Sequence, residues 1–162
     1  MKKNARMDAW LAEWDPEPSS PLPVQYRAFF FCFNRSDYYE AHDVLEQLWL
    51  QCSDSNRRFY QGLIQFAGAF VHLQKHHRFP DHPTHCRRLA PARRLFALAA
   101  KNLAPYPQIH LGLNLGGLLQ TGARWSAWAA DGINPLAFHP APMLTLEPLA
   151  TSPNGLQGTI PL

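Results

Sequence analysis

Apolar positions recur with helical spacing from residue 24 onward. Tyr26, Phe29, Phe30 and Phe33 fall at i, i+3, i+4 and i+7, one face of a helix over Val24–Phe33. Asn34-Arg35-Ser36 is a tight break in which Asn34 can take the left-handed conformation that ends a helix. A second helix follows from Asp37 to about Gln51, with Ala41, Leu45, Leu48 and Trp49 on one side and Asp43 and Gln47 opposite. Asp37 and Glu40 stand three apart, as in a capping box. After a polar loop over residues 52–56, where Ser53 or Asp54 can cap, a third helix runs to about His76 and is apolar almost all round.

The later pattern is more punctuated. A helix beginning close to Pro91 and running to about Leu103 fits a proline at its first position. Asn114 caps a further helix, Leu115–Ala130, which Gly132 and Pro135 close. At the N-terminus, residues 8–14 allow one or two helical turns before four prolines enforce an extended arm. Beyond Ile133 six prolines and no period indicate a tail that wraps the bundle or stays loose. No strand alternation survives, so the expected fold is all-α. It is a single compact antiparallel bundle of four to five helices with a proline-rich C-terminal tail, divided as arm 1–23, helical domain 24–132 and tail 133–162.

Polar residues interrupt this apolar scheme where a plain core helix carries none. Gln61, Gln65, Gly68 and His72 form one narrow stripe on the third helix, at i, i+4, i+7 and i+11. Gly62 and Gly68 cost helix propensity, roughly 1 kcal/mol each against Ala, which points to close approach of a neighbour. On the preceding helix, His42 and Glu46 are four apart on one face. With His72 they make three N/O donors, enough for a divalent metal with an open position. Glu40 lies on another face, where helix N-terminal charge explains it.

Three readings of the stripe compete: a structural hydrogen-bond network, which leads; a pocket for a polar small molecule lined by His42, Glu46, Trp49, Gln61, Gln65 and His72; and a metal site on His42, Glu46 and His72. No catalytic residue is assigned and no cofactor is favoured, a divalent metal included. Should the site do chemistry, His42, tuned by Glu46, is the acid–base group. The other class is a non-catalytic module in which Trp10, Trp14 and Trp128 mediate self-association, a homodimer being the simplest form.

Composition narrows the surroundings. Hydrophobic residues make up 46% and charged residues 17%, so much of the surface is uncharged. A net charge of +3 is too mild to argue by itself for nucleic acid, which is not expected as a partner. Arg87, Arg94 and Lys101 recur every seven residues, but without interleaved aromatics they read as the wet face of an amphipathic helix. Five histidines between residues 72 and 85 sit in a proline-broken loop with no zinc spacing. Three cysteines without a CxxC pair point to a reduced cytosolic compartment. Without a leader or a long apolar run, a soluble cytoplasmic protein with no membrane partner is expected.

Phe30–Gln74, reading FNRSDYYEAHDVLEQLW and then RRFYQGLIQFAGAFVHLQ, resembles a small all-helical family known only as a domain of unknown function, number 309. The shared positions include Asn34, Tyr38, Glu40, His42, Glu46, Trp49, Gln61, Gly62, Gln65 and His72. Ser36 stands where the family has Gly, Asp43 where it has Glu, and Asn114 where it has Asp. The resemblance implies a compact helical bundle and brings no established activity.

Overall fold

The computed structural model describes residues 3–149. Six α-helices follow in order: α1 (Lys3–Trp14), α2 (Val24–Asn34), α3 (Tyr38–Gln51), α4 (Arg57–Arg78), α5 (Leu89–Leu103) and α6 (Leu115–Ala130). A two-stranded antiparallel hairpin, β1 (Ile109–His110) with β2 (Leu113–Asn114), joins α5 to α6. The helix beyond the expected four to five is α1, which extends past the one or two turns its apolar spacing indicates. It is held to the bundle by Leu11, which is buried, and by Trp10 and Trp14, which pack on Phe31 of α2.

Helix α4 is the axis of the fold because its apolar side chains point in nearly every direction. Consecutive helices α2 to α6 pack on one another through short connections, so neighbours run antiparallel. Phe70 is fully buried and its ring meets Phe33, Tyr38, Phe66, Phe96 and Trp125, drawing four other helices onto one side chain. Burying one such ring stabilises the fold by about 1.5–3 kcal/mol. Gly62 permits the closest helix approach. A Cβ there would lie 2.6 Å from the side chain of Leu103 on α5. Gly68 acts similarly, because a Cβ would lie 3.1 Å from Leu95 of α5 and 3.9 Å from the His42 ring.

Local signals at the helix ends were realised unevenly. Asn114 caps α6 as its position predicts, its side-chain oxygen accepting from Gly117 N–H at 2.9 Å. The Asp37–Glu40 capping box does not form; Asp37 makes no cap bond and instead pairs with Arg35 across 3.3 Å at the surface. Ser36, rather than Asn34, takes the left-handed conformation (φ 64°). The Asn34 amide is needed elsewhere, donating to Leu144 O at 2.7 Å and accepting from Leu144 N–H at 2.8 Å. Asp54 accepts from Asn56 N–H just ahead of α4. The C-terminal end of α3 is capped by Arg57, whose guanidinium donates to Trp49 O at 2.7 Å and Cys52 O at 2.8 Å. Pro91 is the third residue of α5, preceded by a 3₁₀ turn at His85–Arg87.

Residues 133–149 lie along the bundle. Asn134 is buried and donates to Leu73 O at 2.7 Å, Leu144 is buried, and Glu147 N–H donates to Gly112 O at 2.7 Å. The wrapped alternative therefore describes this stretch; residues 150–162 lie outside the described residues.

Candidate functional site

The polar positions on α3 and α4 fall into three local groupings. The first is carried by residues of α3. His42, Asp43 and Glu46 offer ligand atoms all within 4.8 Å of one another, and each is half-buried. His42 Nδ1 lies 3.3 Å from Asp43 Oδ1, the carboxylate accepting from the ring N–H. The His42 ring stacks beside Tyr39 (centroids 6.5 Å apart) and faces the bare backbone at Gly68. Asp43 was expected on the face opposite the apolar stripe, yet its carboxylate is nearly covered at 9% exposure. Its adjacency to His42 was the legible signal, since a histidine Nδ1 can reach the next residue's carboxylate.

The second grouping ties α4 to α5. Gln65 Oε1 accepts from Asn102 Nδ2 at 2.7 Å, and Asn102 Oδ1 accepts from Arg58 Nε at 3.1 Å. Gln65 thus looks to α5 and not to Glu46. Asn102 could have been found in the sequence, because Ala99 and Leu103 flank it at helical spacing on a buried face.

His72 centres the third grouping. Arg88, just before α5, donates to His72 Nδ1 at 3.2 Å and to His85 Nδ1 at 2.9 Å. Accepting from a guanidinium requires both rings to be neutral at that nitrogen. Burial first, then the cations Arg88, Lys75 and Arg94, push the His72 pKa down to about 4. His85 is lowered as well, by desolvation and then by His82 and Arg88. The triad His42–Glu46–His72 is therefore not assembled. Among the described residues His72 belongs to no metal-capable group, and a guanidinium occupies its free face. Arg88 lies sixteen residues from His72 across a proline-rich turn, so no periodicity could have announced it.

Trp49 sits two turns along α3 from His42. Its ring lies under the Arg57 guanidinium, 4.4 Å from the centroid, and its indole N–H is buried without a partner among the described residues. Gln61 is half-buried and makes no hydrogen bond to a described residue. A cleft of about 340 Å³ opens between α3 and α4, lined by Tyr39, Glu40, Gln74, Lys75, Arg78 and neighbours; His42 and His72 do not line it. Neither Cys32, which is buried, nor Cys52, which is half-buried, is activated, since desolvation pushes Cys32 up to about 12 and raises Cys52.

The aromatics proposed for self-association are largely spent inside the molecule. Trp10 and Trp14 stack on each other at 5.5 Å, and Trp128 lies flat on His139 at 3.6 Å. No helix among the described residues is long and apolar enough to cross a membrane.

Residues 26–78, from α2 to the end of α4, match the family model for a domain of unknown function (DUF309), the family that the sequence resembles. A search of curated proteins and a search of solved structures found no significant match.

Proposed function

We propose that His42, Asp43 and Glu46 bind a divalent transition-metal ion on the flank of α3. One imidazole nitrogen and two carboxylates suit zinc, manganese or ferrous iron better than calcium, which asks for six to eight oxygens. The observation that carries the reading is the convergence of three donors within 4.8 Å at half-buried positions. The Nδ1–Asp43 contact supports it, because it already holds an imidazole nitrogen and a carboxylate oxygen 3.3 Å apart, and a bound ion would take the place of the proton between them. Three protein donors leave positions for water or a polar ligand.

Titration of the untagged, chelator-treated protein with Zn²⁺ and Mn²⁺ by calorimetry tests it, with metal content read by mass spectrometry. One ion per chain is expected. His42→Ala and Glu46→Gln each weaken binding at least tenfold, while His72→Gln leaves it unchanged. Loss of binding in His72→Gln, or none in His42→Ala, sinks the assignment.

The purely structural reading keeps one specific support. Gln65 and His72 are satisfied by Asn102 and Arg88 on neighbouring elements, which is what residues that hold helix register do. For these two residues, that reading is the one we adopt.

A further inference from the structure

Charge is not mixed along this chain. Residues 7–54 contain nine acids and two Lys or Arg, whereas residues 55–130 contain ten Lys and Arg and one acid, Asp81. The net charge of +3 conceals this division. Its structural consequence is a surface of one sign: Arg93, Arg94 and Lys101 on α5 are exposed, as are Arg87 in the preceding turn and Arg58 on α4. Arg58 is held at the end of α5 by donating to Lys101 O (3.1 Å) and to the Asn102 side chain.

The two ends also differ in how far their charges are used. On the acidic side Asp15 pairs with Arg27 at 2.5 Å, Asp37 with Arg35, Asp43 with His42, and Asp8 accepts from Gln47. On the basic side no ion pair among the described residues involves Arg87, Arg93, Arg94 or Lys101. An unneutralised field of this kind attracts a polyanion. Asp15 and Asp37 of a second copy are engaged within their own chain, which makes its acidic face a weaker counter-ion than a continuous row of phosphates.

We propose that the exposed face of α5, with Arg58 at its end, docks duplex nucleic acid through its phosphates. Arginine outnumbers lysine four to one among these five side chains, and its planar fork suits phosphate oxygens. Arg94 and Lys101 stand about 10 Å apart along a rigid helix. Exposed Ala90 and Ala97, one turn either side of Arg94, leave low ground on which a backbone can approach. Leu98 is the one large exposed apolar residue on α5, which gives neither a stacking platform for single strands nor an apolar edge for a membrane. The phosphates are therefore contacted without base readout.

Fluorescence anisotropy with 20-base-pair DNA and RNA duplexes tests this on the full chain. Four phosphate contacts give a log–log salt slope near −3.6, so affinity drops about 150-fold between 50 and 200 mM salt. Arg94→Gln/Lys101→Gln halves the slope and loses at least tenfold in affinity at 50 mM, with an unchanged thermal melt. Arg35→Gln, a surface cation on the acidic side, binds as wild type. The proposal is overturned by no duplex binding at 50 mM salt, or by a double variant indistinguishable from wild type. Binding only to phosphatidylserine vesicles, or salt-sensitive self-assembly without duplex binding, overturns it equally.

Discussion

Helices α3 and α4 both carry polar side chains into the bundle, but they satisfy them in opposite ways. On α3 the polar atoms of His42 and Asp43 meet within one helix, with Glu46 a turn further on. On α4, Gln65 and His72 are each bonded to a residue of another element, Asn102 and Arg88. A polar group bonded across elements reports their relative position and loses its partner if they shift. An imidazole bonded to the next residue of its own helix, as His42 is, keeps its other ring nitrogen for something external. The difference separates residues that hold the fold from residues available to a ligand.

The comparison is broken most directly at Asn102. Asn102→Ala leaves the Gln65 carbonyl oxygen without its donor and releases Arg58, so a loss of about 1–3 kcal/mol in urea unfolding is expected. Gln65→Ala should cost a similar amount, and the double variant less than the sum by about 0.5 kcal/mol or more. Simple additivity would show that the α4–α5 bond contributes nothing and that the stripe is not structural.

Acid tests the same contrast at His72. In the folded chain its pKa is held at about 4, below the ordinary 6.5, by burial and by the Arg88 cation. The unfolded chain therefore binds more protons between those values. The stabilisation is complete above pH 6.5 and is lost as pH falls from 6.5 toward 4. Allowing for solvent screening of a half-exposed ring, the difference between pH 7.5 and 5 is on the order of 1 kcal/mol. His76, His85 and His110 are shifted the same way and add to the slope. Urea melts at both pH values should show it, and His72→Gln should flatten it; an unchanged slope in that variant would remove His72 from the account.

Much of this was written in local spacing, and most of what was not shares one cause. The five helices after the arm follow from apolar periodicity, and Asn114 caps α6 because a cap needs only its own next three residues. Even Gly62 was legible as a close approach, although its partner Leu103 was not. Apart from the Asp37–Glu40 capping box, which gives way to the local Arg35–Asp37 pair, the failures depend on contacts distant in sequence. Asn34 is drawn from its expected turn role to Leu144, 110 residues away. Arg88 reaches His72 only because the chain reverses after α4. Gln65 and His72 of the α4 stripe do meet neighbouring elements, but which neighbour meets which residue depends on helix order and axial offset. A helical wheel contains neither.

The smallest effect is the most discriminating. His42 is 31% exposed, bonds only its neighbour in sequence, and faces a glycine, so its removal opens little cavity and orphans no cross-helix partner. His42→Ala should change unfolding free energy by less than about 1 kcal/mol, clearly below Asn102→Ala measured under the same conditions. A residue nearly silent in stability yet decisive for metal affinity is a ligand and not a brace. Should His42→Ala cost as much as Asn102→Ala, the α3 group is structural in the same sense as the α4 stripe, and the contrast between the two helices disappears.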